Sequence, residues 1–397
     1  MKTSVAVGLR KVIRLLGTRQ KEGEGQTMSI TRETCEALAP HRHPRSRWTD
    51  WARWWKVVTL GVVVSSMFVG GQAGAAEAPN GDLGGLKAKF VDVKGVRTRY
   101  YEMGQGEPMV MVHGGATAGS STANVWSRNI PGLAKHFHVF AVDRLGSGLT
   151  GNPLDDKDYG TQGQVEHIYQ FIQTMKLGQV HLVGHSAGGG VMFYLAVMHP
   201  EMAKTLTIIA AGPEDPGMNA TPTKLDGLLK TCPDQTTYAG LKCRVAMIGW
   251  LPTAFEDAYW QADEYMAMQP KSKEARAKIV AGAGEEQRKA YPAWRDNLYD
   301  RVRNDGVLQM PVLLYAGKND VLDWEANDPT ANMKRELNLF DLIGTKNTRV
   351  KMTILNNGGH FMYREYPQEF NQDLITFIDF WEHHPTGSPA ISKGPLQ

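Results

Sequence analysis

Seven consecutive residues, Val183-Gly184-His185-Ser186-Ala187-Gly188-Gly189, carry the strongest chemical signal in the chain. They form a G-x-S-x-G pattern directly after the apolar run Val180–Val183 and directly before an amphipathic helical stretch over Ala187–Met198. A serine hydroxyl is a weak nucleophile unless its oxygen is exposed and a base takes its proton. A sharp strand-to-helix turn exposes it, at the cost of a strained serine backbone and with room only for small residues on either side. The helix that follows points its first N–H groups at any charge developing on a substrate oxygen. Ser186 is therefore the candidate nucleophile, and Ala187 N–H a candidate oxyanion donor.

A second oxyanion donor is expected from the loop after an earlier strand. Val112-His113-Gly114-Gly115-Ala116 follows the apolar run Pro108–Val112, and Gly115 is the expected donor, with Ala116 the alternative. His113 is read as a brace for that loop. The nucleophile also needs a base, and the base needs a carboxylate, in the chain order serine, acid, histidine. Of the 12 histidines, only His360, His383 and His384 follow the long central insertion described below. His360 comes after the run Val350–Leu355 through Asn356-Asn357-Gly358-Gly359, a loop flexible enough to carry an imidazole over the turn. Asp320 ends Ala316-Gly317-Lys318-Asn319-Asp320 after the run Val312–Tyr315 and is the expected acid; Asp323, Glu214 and Asp215 are its rivals. Such a serine–histidine–aspartate group attacks carbonyl carbons and requires neither a metal nor an organic cofactor.

These residues need a frame that brings distant loops together. From Lys87 onward, short apolar runs alternate with longer amphipathic ones, the pattern of an α/β domain with a mostly parallel central sheet and helices on both faces. Phe90–Val93 and Arg97–Tyr101, joined through Lys94-Gly95, read as an opening hairpin. The alternation breaks from about Pro213 to Gln309, a stretch far longer than a connecting loop and rich in Trp, Tyr, Phe and Met. It is expected to be an inserted helical lid whose apolar side chains line a pocket over Ser186. The expected organisation is core over residues 77–212, lid over 213–309, core again over 310–384, and a disordered Pro/Gly/Ser-rich tail over 385–397.

Residues 1–76 differ from the rest. A basic, Trp-rich flank leads to the uncharged run Val57–Val69 and then to small residues ending Gly74-Ala75-Ala76. Basic flank, short apolar core and Ala-x-Ala site make a secretory signal peptide, with cleavage near Ala75 or Ala76 and Met28 as an alternative start. Thirteen apolar positions fall short of the ~20 needed to span a bilayer, so no permanent membrane span is expected; an uncleaved tether is the alternative. The net charge of +3 belongs to this leader. Residues 1–75 hold 12 Lys and Arg against 5 Asp and Glu, leaving 32 against 36 and a net charge near −4. Nothing in that balance favours nucleic acid; the partner expected is a small-molecule substrate. Export to the periplasm or medium would also oxidise Cys232 and Cys243, which are expected to pair, while Cys35 falls in the leader.

With these motifs in place, the chain over about residues 87–383 resembles the α/β-hydrolase superfamily, and within it the meta-cleavage-product hydrolases, which cleave C–C bonds in aromatic degradation. The resemblance rests on three stretches: His113-Gly114-Gly115 with Asn124, Gly317 to Asp320, and Gly359-His360-Phe361 with Glu365 and Phe370-Asn371. It implies the α/β-hydrolase fold, and substrate contacts from Gly115, Asn124 and Phe361; His185, beside the nucleophile, is placed with them. The chain departs from that family at His185 and Ala187, where Asn and Met are common. The family's carboxylate-binding lid arginine has no clear counterpart among Arg276, Arg288, Arg295 and Arg301. The function expected is hydrolysis of a carboxylic ester of a small apolar or aromatic substrate through an acyl-enzyme. C–C hydrolysis by the same residues is the second reading, and a non-catalytic ligand-binding protein of this fold the third.

Overall fold

The computed structural model describes residues 80–115, 121–210, 227, 229–233, 237–323 and 331–384. The expected leader and its cleavage site, Cys35, the rival acids Glu214 and Asp215, and the tail over 385–397 lie outside these residues. Eight strands are described: β1 (Ala88–Val93), β2 (Val96–Met103), β3 (Pro108–Val112), β4 (His138–Val142), β5 (Val180–His185), β6 (Ala203–Ile209), β7 (Val312–Gly317) and β8 (Val350–Leu355). They make one sheet in the order β1-β2-β4-β3-β5-β6-β7-β8. β1 and β2 form the opening hairpin, its two-residue turn made by Lys94 and Gly95 at φ 52° and 88°. Such left-handed turns match the twist of the strands they join. β2 pairs antiparallel with β4, and every pair from β4 to β8 is parallel.

The helices are α1 (Ile130–Leu133), α2 (Thr161–Thr174), α3 (Ala187–Met198), α4 (Tyr238–Ile248), α5 (Asp257–Ala267), α6 (Pro270–Val280), α7 (Glu285–Asp300), α8 (Ala331–Gly344), α9 (Met362–Glu365) and α10 (Pro367–His383). Apolar side chains pack on both faces of the sheet. On β3, Val110 and Val112 enter one core with α2, α3 and α7, while Met109 and Met111 enter the other with Trp126 and α10. A parallel strand buried on both sides therefore reads as an unbroken apolar run. One element differs from its sequence reading. α3 is not amphipathic: Val191 to Val197 are all buried. Phe193 and Tyr194 meet Tyr299, Tyr291 and Trp294 of α7, so the helix is enclosed on the side that would otherwise face solvent.

Between β6 and β7 the described chain runs through α4 to α7, and no helix among the described residues is long and apolar enough to cross a membrane. Cys232 and Cys243 form a disulfide that ties the segment before α4 to that helix. Polar bonds attach this insertion to the core. Arg364 donates to Glu256 (3.0 Å) and lies over the Phe255 and Tyr259 rings, and Thr122 donates to Asp263 on α5 (3.0 Å). Of the insertion's large apolar residues, Phe255, Tyr259 and Met266 are buried, whereas Trp250 and Met268 are 46% and 49% exposed.

Asp263 makes this attachment sensitive to pH. Burial pushes its carboxyl up to about 7 from an ordinary 3.8, only partly offset by the Thr122 bond. A carboxyl whose folded pKa is raised contributes stability that is fully present below its unfolded value and is lost as pH rises through the folded one. Asp263→Asn removes that dependence. The melting temperature of the variant minus that of the parent should therefore become more positive between about pH 5 and about pH 8, measured calorimetrically. A difference that stayed constant across that range would show that Asp263 does not titrate there.

Candidate active site

The carboxyl ends of the parallel strands place all the candidate residues on one edge of the sheet. Gly115 follows β3, Ser186 follows β5, Asp320 follows β7 and His360 follows β8. Open α/β sheets gather their reactive loops at this edge.

Ser186 holds φ 52° and ψ −130°, a left-handed conformation that L side chains rarely adopt. Its N–H donates to the Ile209 carbonyl (2.8 Å), and its carbonyl receives Gly189 N–H (2.7 Å) to open α3. Gly188 makes the turn possible, because a Cβ there would collide with the His113 and Val112 carbonyls. Ala187 is the first residue of α3, where a backbone N–H has no helical carbonyl to bond. Opposite, Gly115 has φ 94°, and a Cβ on Gly114 would meet Ser186 Cβ at 2.6 Å, so the loop after β3 lies directly against Ser186. His113 braces that loop. Its Nδ1–H donates to the Gly114 carbonyl (2.8 Å) and its Nε2 receives Arg144 N–H (3.0 Å). Burial, with Arg144 adding to it, pushes its pKa down to about 3, so the ring is neutral.

His360 Nδ1 lies 2.6 Å from Asp320 Oδ2, with both side chains buried. Asp320 is oriented in turn by Leu322 N–H on Oδ1 (3.0 Å). The His360 loop is held from three sides. Its own N–H donates to the Ile248 carbonyl (2.9 Å) at the end of α4. Glu365 accepts Gly359 N–H (2.9 Å) and Trp250 N–H (2.5 Å), although burial raises the pKa of its carboxyl. His185 Nε2–H donates to the His360 carbonyl (2.9 Å) while Nδ1 receives the Tyr363 hydroxyl (3.2 Å). Burial first, and the neighbouring His360 second, push His185 well below the ordinary imidazole range. A neutral His185 thus joins the turn carrying Ser186 to the loop carrying His360, their rings 4.6 Å apart.

The residues placed near substrate by resemblance have different surroundings. His185 is buried behind the turn in the bonds just described. Asn124 is also buried, its Oδ1 taking Arg99 (3.0 Å) and the Tyr101 hydroxyl (2.8 Å) and its Nδ2 facing Met266 Sδ (4.0 Å). Phe361 packs between His185, His360 and Phe255. Of the four insertion arginines, Arg276 donates to the Ala267 carbonyl (3.1 Å), Arg288 to the Ala283 carbonyl (2.7 Å), and Arg295 pairs with Asp296 (2.9 Å); Arg301 is half-buried. Glu107, His181 and Glu382 bring possible metal-binding atoms within 4.8 Å of one another. They lie at the amino end of β3 and β5, where Lys204 already pairs with Glu107. The sequence reading did not single out Arg144, Tyr363 or Asp263. The only signal available was for Arg144, a charged residue one place beyond the strand-and-Asp143 edge, in the same position relative to β4 that reactive residues occupy on other strands.

Comparison with known proteins gives the same frame. Residues 107–366, more than half of the chain, match the alpha/beta hydrolase fold family. The 2-hydroxy-6-oxo-6-(2'-aminophenyl)hexa-2,4-dienoic acid hydrolase of Metapseudomonas resinovorans is 38% identical over 124 residues, 31% of this chain and 42% of that protein. A monoacylglycerol lipase of Xenopus laevis is 33% identical over 158 residues, 38% and 45% of the two chains. The match thus spans less than half the length of either relative. The meta-cleavage product hydrolase of Pseudomonas fluorescens IP01 superposes with a TM-score of 0.57 at 21% identity, covering 73% of this chain and 97% of that one, a likeness of fold.

Glu365 offers a direct measure of how firmly the histidine loop is held. Glu365→Ala leaves the buried Gly359 N–H and the part-buried Trp250 N–H without their acceptor, and the loss of the buried one alone should cost about 1–3 kcal/mol. Urea unfolding of the variant should show that loss, and an unchanged midpoint would show that water replaces the carboxylate freely.

Proposed function

The chain belongs to the alpha/beta hydrolase fold family, and from that premise we propose that it is a serine hydrolase of carboxylic esters with small apolar or aromatic groups. In this reading Ser186 attacks the carbonyl carbon as His360 takes its proton, and the Asp320 carboxylate stabilises the imidazolium that forms. Gly115 and Ala187 N–H receive the oxyanion, and water then releases the acyl group. The observation that carries the reading is the buried 2.6 Å contact between His360 and Asp320, joined through His185 to a strained Ser186. Ester chemistry is supported by the aromatic group of Phe255, Tyr259, Trp260 and Phe361 packed around the histidine loop, and by the similarity to a lipase. The pair of Arg295 with Asp296 within the insertion adds to it, since it neutralises that cation. Hydrolysis of a C–C bond in a dienone acid is the second reading, supported by the similarity to a dienoic acid hydrolase. The same residues serve both, so the bond cleaved is a property of the pocket.

A fluorophosphonate probe should label Ser186 in the purified protein. Ser186→Ala and His360→Ala should each lower kcat by about 10⁴-fold, and Asp320→Asn comparably, without loss of folding, because the three act as one unit. In a panel of aryl esters, alkyl esters and a dienone acid, the aryl esters should show the highest kcat/KM. Turnover of the dienone acid with inert esters would replace the first reading by the second, and failure to label would favour a ligand-binding role without catalysis.

We also propose that the protein is exported to the periplasm or medium. The basic flank, apolar core and Ala-rich site of the leader support this, as does the disulfide between Cys232 and Cys243, since such bonds persist in oxidising compartments. Mass spectrometry of protein from its native host should find a mature chain starting at about Ala76 or Glu77; intact residues 1–75 in the cytoplasm would refute it.

A further inference from the structure

One charged group beside the nucleophile has no part in the chemistry described so far. Arg144 directly follows Asp143 at the carboxyl end of β4 and is 7% exposed. Asp143 does not neutralise it. The Asp143 carboxylate is taken up by Arg99 (3.0 and 3.1 Å), Ala123 N–H (2.7 Å) and Leu149 N–H (2.9 Å). Among the described residues Arg144 has no carboxylate partner, and its buried Nε has no hydrogen-bond partner at all. Its carbonyl accepts Ser147 N–H (2.8 Å), and its two N–H bonds go to the loop after β3. The backbone N–H holds His113 Nε2, and Nη2 donates to the Gly115 carbonyl. Burial pushes its pKa down to about 10, so it keeps its charge at neutral pH.

A buried cation is normally paired, because removing it from water is costly and a partner offsets that cost. A paired charge also has most of its field cancelled at a distance. An unpaired one in a low-dielectric surrounding acts on everything nearby, and His113, bonded to the Arg144 backbone, is lowered first by burial and then by this charge. The group that would gain from such a field is the one on which negative charge grows during reaction. Gly114 lies against Ser186 and Gly115 follows it in the same loop, so that is where the oxyanion of the proposed reaction forms.

We propose that Arg144 is a positioning residue of the oxyanion loop: its guanidinium fixes the Gly115 carbonyl, and its unpaired charge favours the negatively charged transition state at Ser186. The proposal rests on the serine hydrolase reading but not on which bond is cleaved. In this role Arg144 acts through Gly115 and through its field, so its effect belongs in kcat rather than KM.

Two variants separate the charge from the hydrogen bond. Arg144→Gln keeps a donor for the Gly115 carbonyl without charge, and Arg144→Lys keeps the charge. Both are measured in the purified full chain for melting temperature, for kcat and KM on an aryl ester, and for the rate of Ser186 phosphonylation by the fluorophosphonate. The expected result is a fall of about tenfold or more in kcat and in phosphonylation rate for Arg144→Gln, KM changing less than about threefold, with Arg144→Lys recovering most of the loss. Several outcomes would overturn the proposal. These are a Gln variant as fast as the parent, a Lys variant as slow as Gln while equally folded, two variants that do not fold, or a loss confined to KM for anionic substrates, which would make Arg144 an anion-binding group instead. Failure of the serine hydrolase reading looks different, because the unmodified protein would then not label at Ser186.

Discussion

The bond from His360 Nδ1 to Asp320 Oδ2 joins loops forty residues apart, on neighbouring strands of the sheet. An imidazole at the end of a glycine-rich loop loses much rotational freedom when it is held in one orientation, and a single carboxylate at the rim could not hold it alone. The surrounding structure supplies the rest. Ile248, Glu365 and His185 each bond the backbone of the same short segment, so the ring is placed by its main chain before Asp320 aligns it. Gly317 belongs to the same arrangement: a Cβ there would collide with the Gly359 carbonyl and push the His360 loop off the end of β7.

This dependence links the insertion to the chemistry. Ile248 at the end of α4 bonds the histidine loop directly, and Trp250 N–H bonds Glu365, which in turn accepts Gly359 N–H, so the segment between β6 and β7 holds that loop both directly and through Glu365. Arg364, fully buried, extends the link by bonding the carbonyls of Asn124 and Val125 (3.3 and 3.1 Å), the Ser127 hydroxyl (2.9 Å) and Glu256. A displacement of the insertion would therefore be felt at His360 through backbone hydrogen bonds rather than through apolar packing alone. That is a stiffer coupling, since a hydrogen bond loses its strength within a few tenths of an ångström or a modest change of angle.

Buried charge is distributed unequally around the site. Arg99 and Asp143 neutralise each other at the base of the loop after β3, with Asn124 accepting from Arg99 and from the Tyr101 hydroxyl. Asp263 and Arg144 are each left with less than full compensation, one on the insertion and one beneath the oxyanion loop. Groups of this kind weaken the folded state, and they are concentrated at functional sites where their field is used.

Much of this was legible from local pattern. Ser186 is recognisable because the turn that exposes it needs small neighbours between an apolar strand and a helix, and all of those lie within seven residues. Asp320 and His360 follow from chain order and from their places just beyond apolar runs, since each parallel strand ends at the same edge of the sheet. The hairpin through Lys94-Gly95 is equally local. The enclosed character of α3 was not legible, because its outer face is covered by α7, a hundred residues away in the chain, and only packing reveals it. The same holds for His185, whose ring touches Tyr363 and the His360 carbonyl across more than 170 residues. Arg144 is marked in one dimension only by its place just past β4, and its burial is not. Spacing along a chain reports which residue types can do chemistry and which strand end carries them, because those depend on neighbours in sequence. Whether a charge is paired, and which ring holds which loop, depends on neighbours in space, and these are decided only when the sheet closes and the insertion is set in place.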